Sequence, residues 1–305
     1  MPVRLGVNPI AWSNDDLREL GGATPLETCL AEARRAGFSG IELGHKFPRA
    51  PDALAAVLGR HGLALVSGWY SSALLERSPR AEIAAIADHA ALLSALGCEV
   101  LILAETSNAI HGRRDAPLSR SPVLTRSEMT ALARAVTEVA KQLSEGGLRL
   151  AYHHHLGTVV ETRAEIDAFM EAAGAEVGLV LDTGHACAAG IAPVELAECY
   201  ADRVIHLHGK DVRAEVLARV RAEDASFLDG VVAGLFTVPG DGCVDFAGVL
   251  SRLSGAGYGG WLVVEAEQDP ARANPLDYAR RGHDFLAEAA ARAGMTIAAE
   301  DDEPW

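Results

Sequence analysis

Short apolar runs alternate with longer amphipathic stretches along almost the whole chain. The runs at residues 3–7, 40–43, 64–68, 99–104, 149–152, 178–181, 204–205 and 261–264 read as short buried strands. Between them, apolar positions recur every three or four residues, the period of a helix with one buried face. The first such helix carries Leu26, Cys29, Leu30 and Ala33 on one face and stops near Gly37. Its start, Thr24-Pro25-Leu26-Glu27, reads as a capping box with Thr24 as the cap. Further helices are expected over residues 51–61, 79–96, 125–145, 161–173, 193–200, 246–256 and 276–292. Residues 107–122 read as a polar insertion, and 213–237 as one helical segment followed by an irregular loop.

Eight strands separated by helices predict an α/β protein, either a (β/α)8 TIM barrel or a doubly wound open sheet. No Gly-x-Gly-x-x-Gly follows the first strand, and ionisable residues end nearly every strand. Both features favour the barrel, whose chemistry sits at the C-terminal strand ends. A chain of 305 residues with 49% hydrophobic content is long enough for one such barrel. Residues 1–295 are assigned to it, with 296–305 as an acidic tail expected to be disordered.

The formal net charge of −15 argues against a nucleic-acid partner. Five scattered cysteines without a C-x-x-C pair disfavour a disulfide framework and fit a reducing cytoplasm. No segment is apolar enough, for long enough, to predict a membrane span.

The chemistry concentrates between residues 177 and 211. Asp182, His208 and Glu265 fall just past strands six, seven and eight. A carboxylate–imidazole–carboxylate set converging from three strands suits manganese, cobalt, iron or zinc. Ordinary polar strand ends would explain any one of them, but three in register are harder to dismiss. In His153-His154-His155, alternation along an extended segment puts His153 and His155 on one side and His154 on the other. Glu42, His45, Lys46, Glu105, Lys210 and Glu267 are candidate acids, bases or substrate clamps. His185 is a candidate substrate or outer-shell residue. Trp12, Trp69 and Tyr70 are candidates for an apolar wall over a sugar-like ring, or for core.

The segments NPIAWSNDD, GIELGHKFPR, LAYHHHLGT, LDTGH, HLHGKDVR, FTVPGDGCVDF and WLVVEAEQDP, in order over residues 5–284, closely resemble the inosose dehydratases of bacterial myo-inositol catabolism. These belong to the xylose-isomerase-like superfamily of TIM barrels. LDTGH, H-x-K-D and V-V-E are common to that superfamily, whereas GHKFPR, YHHH and FTVPGDGCVDF are more specific to the dehydratases. The resemblance implies dehydration of 2-keto-myo-inositol to a trihydroxycyclohexane-1,2-dione, assisted by manganese or cobalt. It implies Asp182, His208 and Glu265 as metal ligands. Many members carry a Glu as fourth ligand where this chain has His153, which leaves His153, His155, Glu105 or water for that place. Glu267 or His155 is the expected base, and Lys46 or Lys210 the acid or oxyanion partner. His45, Glu42, Trp12, Trp69, His185 and Glu105 are expected around a small keto-cyclitol. Alternatives are a sugar or inosose isomerase or epimerase, a dehydratase of 3-dehydroshikimate, an abasic-site endonuclease and a non-catalytic sugar-binding protein. A homo-oligomer is compatible with a helix-covered exterior, though no interface is legible.

Overall fold

The computed structural model describes residues 2–298. Its parallel strands are β1 (Pro2–Val7), β2 (Gly40–Leu43), β3 (Ala64–Ser72), β4 (Val100–Glu105), β5 (Arg149–His153), β6 (Val177–Asp182) and β7 (Val204–Gly209). A short antiparallel pair, β8 (Asp211–Val212) and β9 (Phe236–Thr237), precedes the last barrel strand, β10 (Gly260–Val264). Each barrel strand pairs with the next, and β10 pairs with both β7 and β1, with Val7 opposite Val264. That last pairing closes the sheet and leaves it no open edge to protect. A further strand, β11 (Thr296–Ile297), lies beside β1, so the expected disordered tail begins with an ordered pair of residues. The rest of that expectation, residues 299–305, lies outside the described residues.

The helices are α1 (Leu26–Ala36), α2 (Pro51–His61), α3 (Pro79–Ala95), α4 (Arg126–Glu145), α5 (Arg163–Ala172), α6 (Thr183–Ala188), α7 (Pro193–Tyr200), α8 (Ala214–Ala222), α9 (Phe227–Ala233), α10 (Phe246–Gly255) and α11 (Pro275–Arg292). The main core lies between the outer face of the barrel and these helices, with Leu30, Ile41, Leu101, Val136, Leu179 and Leu286 all buried. A smaller apolar group, Val100, Ile102, Ala151 and Val180, forms a separate cluster on the other face of the sheet, joined by Trp69 and Ile205. The capping boxes at Thr125 and Thr162 form. The one expected at Thr24 does not: α1 starts after Pro25, and Glu27 turns instead to Arg60 and His61.

Two irregularities set the phase of the interior. In β7 an extra residue, Ile205, interrupts pairing with β6, so that Leu179 faces Val204 but Val180 faces His206. In β3 an extra residue falls between the partners of Ile41 and Leu43. A bulge shifts the side-chain alternation by one position. These two bring His206 and Ser67 to the same buried carboxylate, that of Glu42. Both strands run past their expected ends, because polar interior residues interrupt the apolar pattern without interrupting the ladder.

The expected irregular loop near 213–237 contains a second helix, α9, whose start is capped by Ser226 accepting from Asp229 N. With α8 it forms a separate apolar cluster through Val216, Val220, Phe227, Leu228 and Phe236. The polar insertion after β4 is tied to this cap by Leu118 N donating to Ala225 O, Ser119 to Asp224, and Arg114 to Asp229.

Candidate metal centre and active site

One donor atom each from His153, Asp182, His208 and Glu265 lie within 4.8 Å of one another, and all four residues are buried. They come from the ends of β5, β6, β7 and β10. His153 Nε2 is 3.2 Å from His208 Nδ1 and 3.6 Å from Asp182 Oδ2. Glu265 Oε2 approaches His208 Nδ1 to 2.8 Å without hydrogen-bond geometry. Asp182 Oδ2 and Glu265 Oε2 are both buried without a hydrogen bond. The Lys210 ammonium faces both, at 3.6 and 3.3 Å, but hydrogen-bonds neither, so each keeps lone pairs free for a further cation. Two imidazoles and two carboxylates fit a divalent cation of the manganese-to-zinc series.

The surroundings orient these donors. His208 Nε2 lies 3.1 Å from Glu42 Oε1, and the same oxygen accepts from Ser67 Oγ at 2.6 Å. Asn8 Nδ2 donates to the other oxygen of Glu42 at 2.7 Å. A carboxylate on the far nitrogen of a ligating histidine aligns the ring and strengthens its donor. Burial pushes the Asp182 carboxyl up, but Lys210, His185, His153 and His208 outweigh it and hold the group well below the carboxylate range. Burial pushes His208 down, yet Glu265, Glu42 and Asp182 raise it well above the usual histidine value. The negative field that attracts that proton also suits a cation.

The LDTGH segment has a local explanation, residue by residue. Asp182 Oδ1 accepts from His185 N at 2.7 Å, capping α6, which leaves Oδ2 for the cluster. Thr183 Oγ1 donates to Lys210 O at 2.7 Å and accepts from Lys210 N at 3.0 Å. At Gly184 a Cβ would stand 2.4 Å from Lys210 Cγ, so only glycine lets the lysine stem pass. His185 Nε2 then meets Lys210 Nζ at 3.0 Å.

Lys210 is fully buried, at 0% exposure. Its ammonium is 2.7 Å from Glu267 Oε1, 3.3 Å from Glu265 Oε2 and 3.6 Å from Asp182 Oδ2. Burial would lower its pKa, but Asp182, Glu265 and Glu267 keep it raised, so the ammonium stays charged. Burial pushes Glu267 up to about 7; Lys210 opposes this and Glu265 adds to it. Burial keeps His155 and His185 well below the usual histidine value, hence neutral near pH 7. His155 Nδ1 is 2.7 Å from Leu156 O, so Nδ1 carries the ring proton and Nε2 is the acceptor. Phe227 stacks on His185 at 5.7 Å, and Phe236 lies under the Lys210 ammonium at 4.9 Å.

Both groups adjoin a cavity of about 790 Å³ lined by Glu42, Trp69, His153, His155, His208, Glu265 and Glu267. His45 also lines it, held by Asp15. Trp69 meets His153 and His155 edge-on at 5.2 and 5.7 Å. His154 is fully buried elsewhere, with neither ring nitrogen hydrogen-bonded, as alternation along the strand requires.

Four expected residues are not brought to this cavity. Trp12 is buried and donates Nε1 to Glu32. Tyr70 alternates to the outer face and donates its hydroxyl to Glu82. Glu105 accepts from Ser72, Leu74 N and Ser107, which fills its carboxylate away from the cluster and leaves His153 in the fourth-donor place. Lys46 donates to the carbonyls of Gly21, Gly22 and Thr24. Each of the four is taken up by partners away from the cavity. Asp16 and His111, not anticipated from the sequence, also line the cavity. The paired acids of the NDD run were the only signal, and nothing marked His111.

The family model for the xylose isomerase-like TIM barrel matches residues 30–299. The chain is 48% identical over its whole length to the rhizopine catabolism protein MocC of Rhizobium meliloti, covering 94% of that protein. It is 43% identical to an inosose dehydratase of Histophilus somni, over 94% of this chain and 98% of the relative. Among solved structures, a xylose isomerase domain protein from Alicyclobacillus acidocaldarius superposes with a TM-score of 0.67 at 22% identity, covering 96% of this chain and 99% of that one. An IOLI protein described with a bound zinc atom gives a TM-score of 0.67 at 17% identity, over 95% of this chain and 99% of that one. These last two support the fold alone. The chain belongs to the xylose isomerase-like TIM-barrel family and, within it, to the branch that includes the inosose dehydratases.

Proposed function

We propose that this protein is a metal-dependent hydro-lyase that converts 2-keto-myo-inositol to a trihydroxycyclohexane-1,2-dione. The observation that carries the reading is the four-donor cluster lying directly against the Lys210–Glu267 pair at one cavity. Relatives named inosose dehydratase, at 40–43% identity over nearly the whole chain, support the choice of reaction.

His153, Asp182, His208 and Glu265 would hold the cation, with manganese or cobalt favoured over zinc or iron. Such a cation supplies Lewis acidity, lowering the cost of negative charge on a ketone oxygen. The chain's own residues supply the proton transfers. Removing water across two adjacent carbons takes a proton from the carbon beside the ketone and delivers one to the departing hydroxyl. Glu267 Oε2 is buried without a hydrogen bond, and its raised pKa suits a group that takes up and releases a proton near neutrality. His155, protonated at Nδ1, offers Nε2 as the second candidate base. Lys210 orients Glu267 and places a fixed positive charge beside the reacting oxygens. Lys46, held by three carbonyls, is not assigned the acid role. Trp69 packs edge-on against His153, and Phe227 stacks on His185, so both fix the imidazoles in place. Cysteines that are all unpaired fit a reducing cytoplasm as the setting.

Proton NMR of 2-keto-myo-inositol in D₂O, with manganese-loaded and chelator-treated protein, tests this directly. Metal-dependent appearance of the diketone is expected. Deuterium uptake without loss of water would move the function to an isomerase or epimerase on the same site.

A further inference from the structure

We propose that Asp16 and His111 form the outer half of the substrate site, binding vicinal hydroxyls on the part of the ring that points away from the metal-ligand cluster. This deepens the dehydratase reading and rests on it for the identity of the ring.

Asp16 lies in the connection between β1 and α1, and that connection is pinned on both sides. The fully buried Asn14 side chain accepts from Asp16 N at 2.9 Å and from Leu17 N at 2.7 Å. Leu17 is buried in the apolar cluster that contains Phe227 and Leu228. Further along, Lys46 Nζ draws together the carbonyls of Gly21, Gly22 and Thr24 at 2.6–3.0 Å. Between these anchors Asp15 and Asp16 stand at the cavity. Lys46 is therefore a positioning residue for this loop.

The two acids have different fates. Asp15 is engaged by His45 through both the ring and the backbone nitrogen. No hydrogen bond reaches the Asp16 carboxylate among the described residues. The nearest ring nitrogen, His111 Nε2, is 3.8 Å from Oδ1, beyond hydrogen-bonding distance. His111 Nδ1 is itself buried without a partner. Both side chains line the cavity that Glu265 and Glu267 line, and the Asp16 carboxylate is close enough to feel the charges of Lys210 and Glu265.

The Asp16 side chain is 29% exposed at the cavity, so water donates to its carboxylate in the free protein, and a ligand has to replace that water with donors of its own. A hydroxyl donates one hydrogen and accepts at two lone pairs, so one placed between the two side chains can accept from His111 Nε2 and donate to Asp16 Oδ1. The second carboxylate oxygen can accept from the hydroxyl on the next carbon. A ring carrying adjacent hydroxyls matches this pair, whereas a simple ketone does not.

The test uses manganese-loaded wild type and Asp16→Ala, with isosteric Asp16→Asn as a second variant in case the loop of the first collapses. Isothermal calorimetry with myo-inositol, a polyol without the ketone, reads binding of the ring hydroxyls apart from turnover, and the comparison with the variants isolates the Asp16 contact. We expect Kd to rise at least fivefold in the variants, with manganese content and Tm unchanged. With 2-keto-myo-inositol, KM should rise by a similar factor and kcat by contrast stay within threefold. A smaller change in Kd, loss of manganese or Tm alongside it, or no binding of myo-inositol to the wild type would each overturn the assignment. If the wild type binds myo-inositol but does not dehydrate the keto-cyclitol, the dehydratase reading fails while the Kd comparison still decides the role of Asp16.

Discussion

His208 Nε2 stands 3.1 Å from Glu42 Oε1, while Nδ1 of the same ring faces His153 and Glu265. Glu42 would thus act on the proposed cation site through a histidine rather than by direct contact. Glu42→Gln keeps the shape and can still accept from Ser67, but its amide nitrogen cannot accept from Asn8 Nδ2, and the charge behind the ring is gone. Metal affinity should fall by about 10–100-fold, as for other outer-sphere partners of ligating histidines. Competition with a calibrated chelator checks this, and unchanged retention would remove Glu42 from the site.

Glu265→Gln is expected to abolish both manganese retention and dehydration, because Glu265 Oε2 and Asp182 Oδ2 are the carboxylate oxygens of the four-donor cluster that no hydrogen bond occupies. Metal analysis after desalting, alongside turnover, gives the answer. A variant that stays loaded and active would sink the donor set.

Lys210 and Glu267 form a fully buried ion pair at 2.7 Å. Removing one partner leaves an uncompensated buried charge, which costs about 3–5 kcal/mol. Lys210→Met should therefore lower the unfolding free energy by that order and abolish activity. The double variant Lys210→Met/Glu267→Gln should recover part of the stability but none of the activity. Urea unfolding of the four proteins in the cycle measures the coupling, and strictly additive losses would argue against it.

Asp211 accepts from the backbone amides of Val212, Gly240, Gly242 and Val244, which explains the turn-rich VPGDGCV stretch. A Cβ on Gly242 would stand 2.4 Å from both Asp211 Oδ1 and Val212 O. Gly242→Ala should destabilise by roughly 1–3 kcal/mol, the range for overpacking. A midpoint of thermal unfolding equal to that of the wild type would refute the steric account.

Asp241 links this turn to Arg213 and Arg281 and accepts from Thr237 Oγ1 at 2.7 Å. Burial pushes its carboxyl up, but Thr237, Arg213 and Arg281 prevail and hold it below the ordinary value. A depressed folded pKa contributes stability above the unfolded pKa of about 4, and that stability is lost as pH falls through the folded value. The difference in unfolding free energy between wild type and Asp241→Asn should be constant from pH 7 to 5 and shrink below pH 4. Chemical denaturation across that range reads it, and a difference that grows with acid would contradict the sign.

The barrel was legible from the alternation of apolar runs and amphipathic helices, because every parallel strand must bury both faces and every helix one. Asp182, His208 and Glu265 were legible only as a set: a polar strand end explains any one of them, whereas three in register at consecutive strands point to one site. The resemblance of YHHH to the dehydratases, with strand alternation, pointed to His153 over His154. What the linear pattern did not contain was phase and direction. The extra residue at Ile205 turns His206 inward, and the irregularity in β3 does the same for Ser67, so Glu42 becomes the hub behind His208. A bulge is a property of two strands paired in register and leaves no periodic trace in either one. Lys46 and Lys210 look alike in sequence, each just past a strand. Only packing sends one to loop carbonyls and the other, past the side-chain-free Gly184, to the buried carboxylates. Local propensity and burial determined which elements form and where charge gathers. Closure of the sheet decided which of those charges face one another, since residues far apart in the chain meet only once the strands are in register.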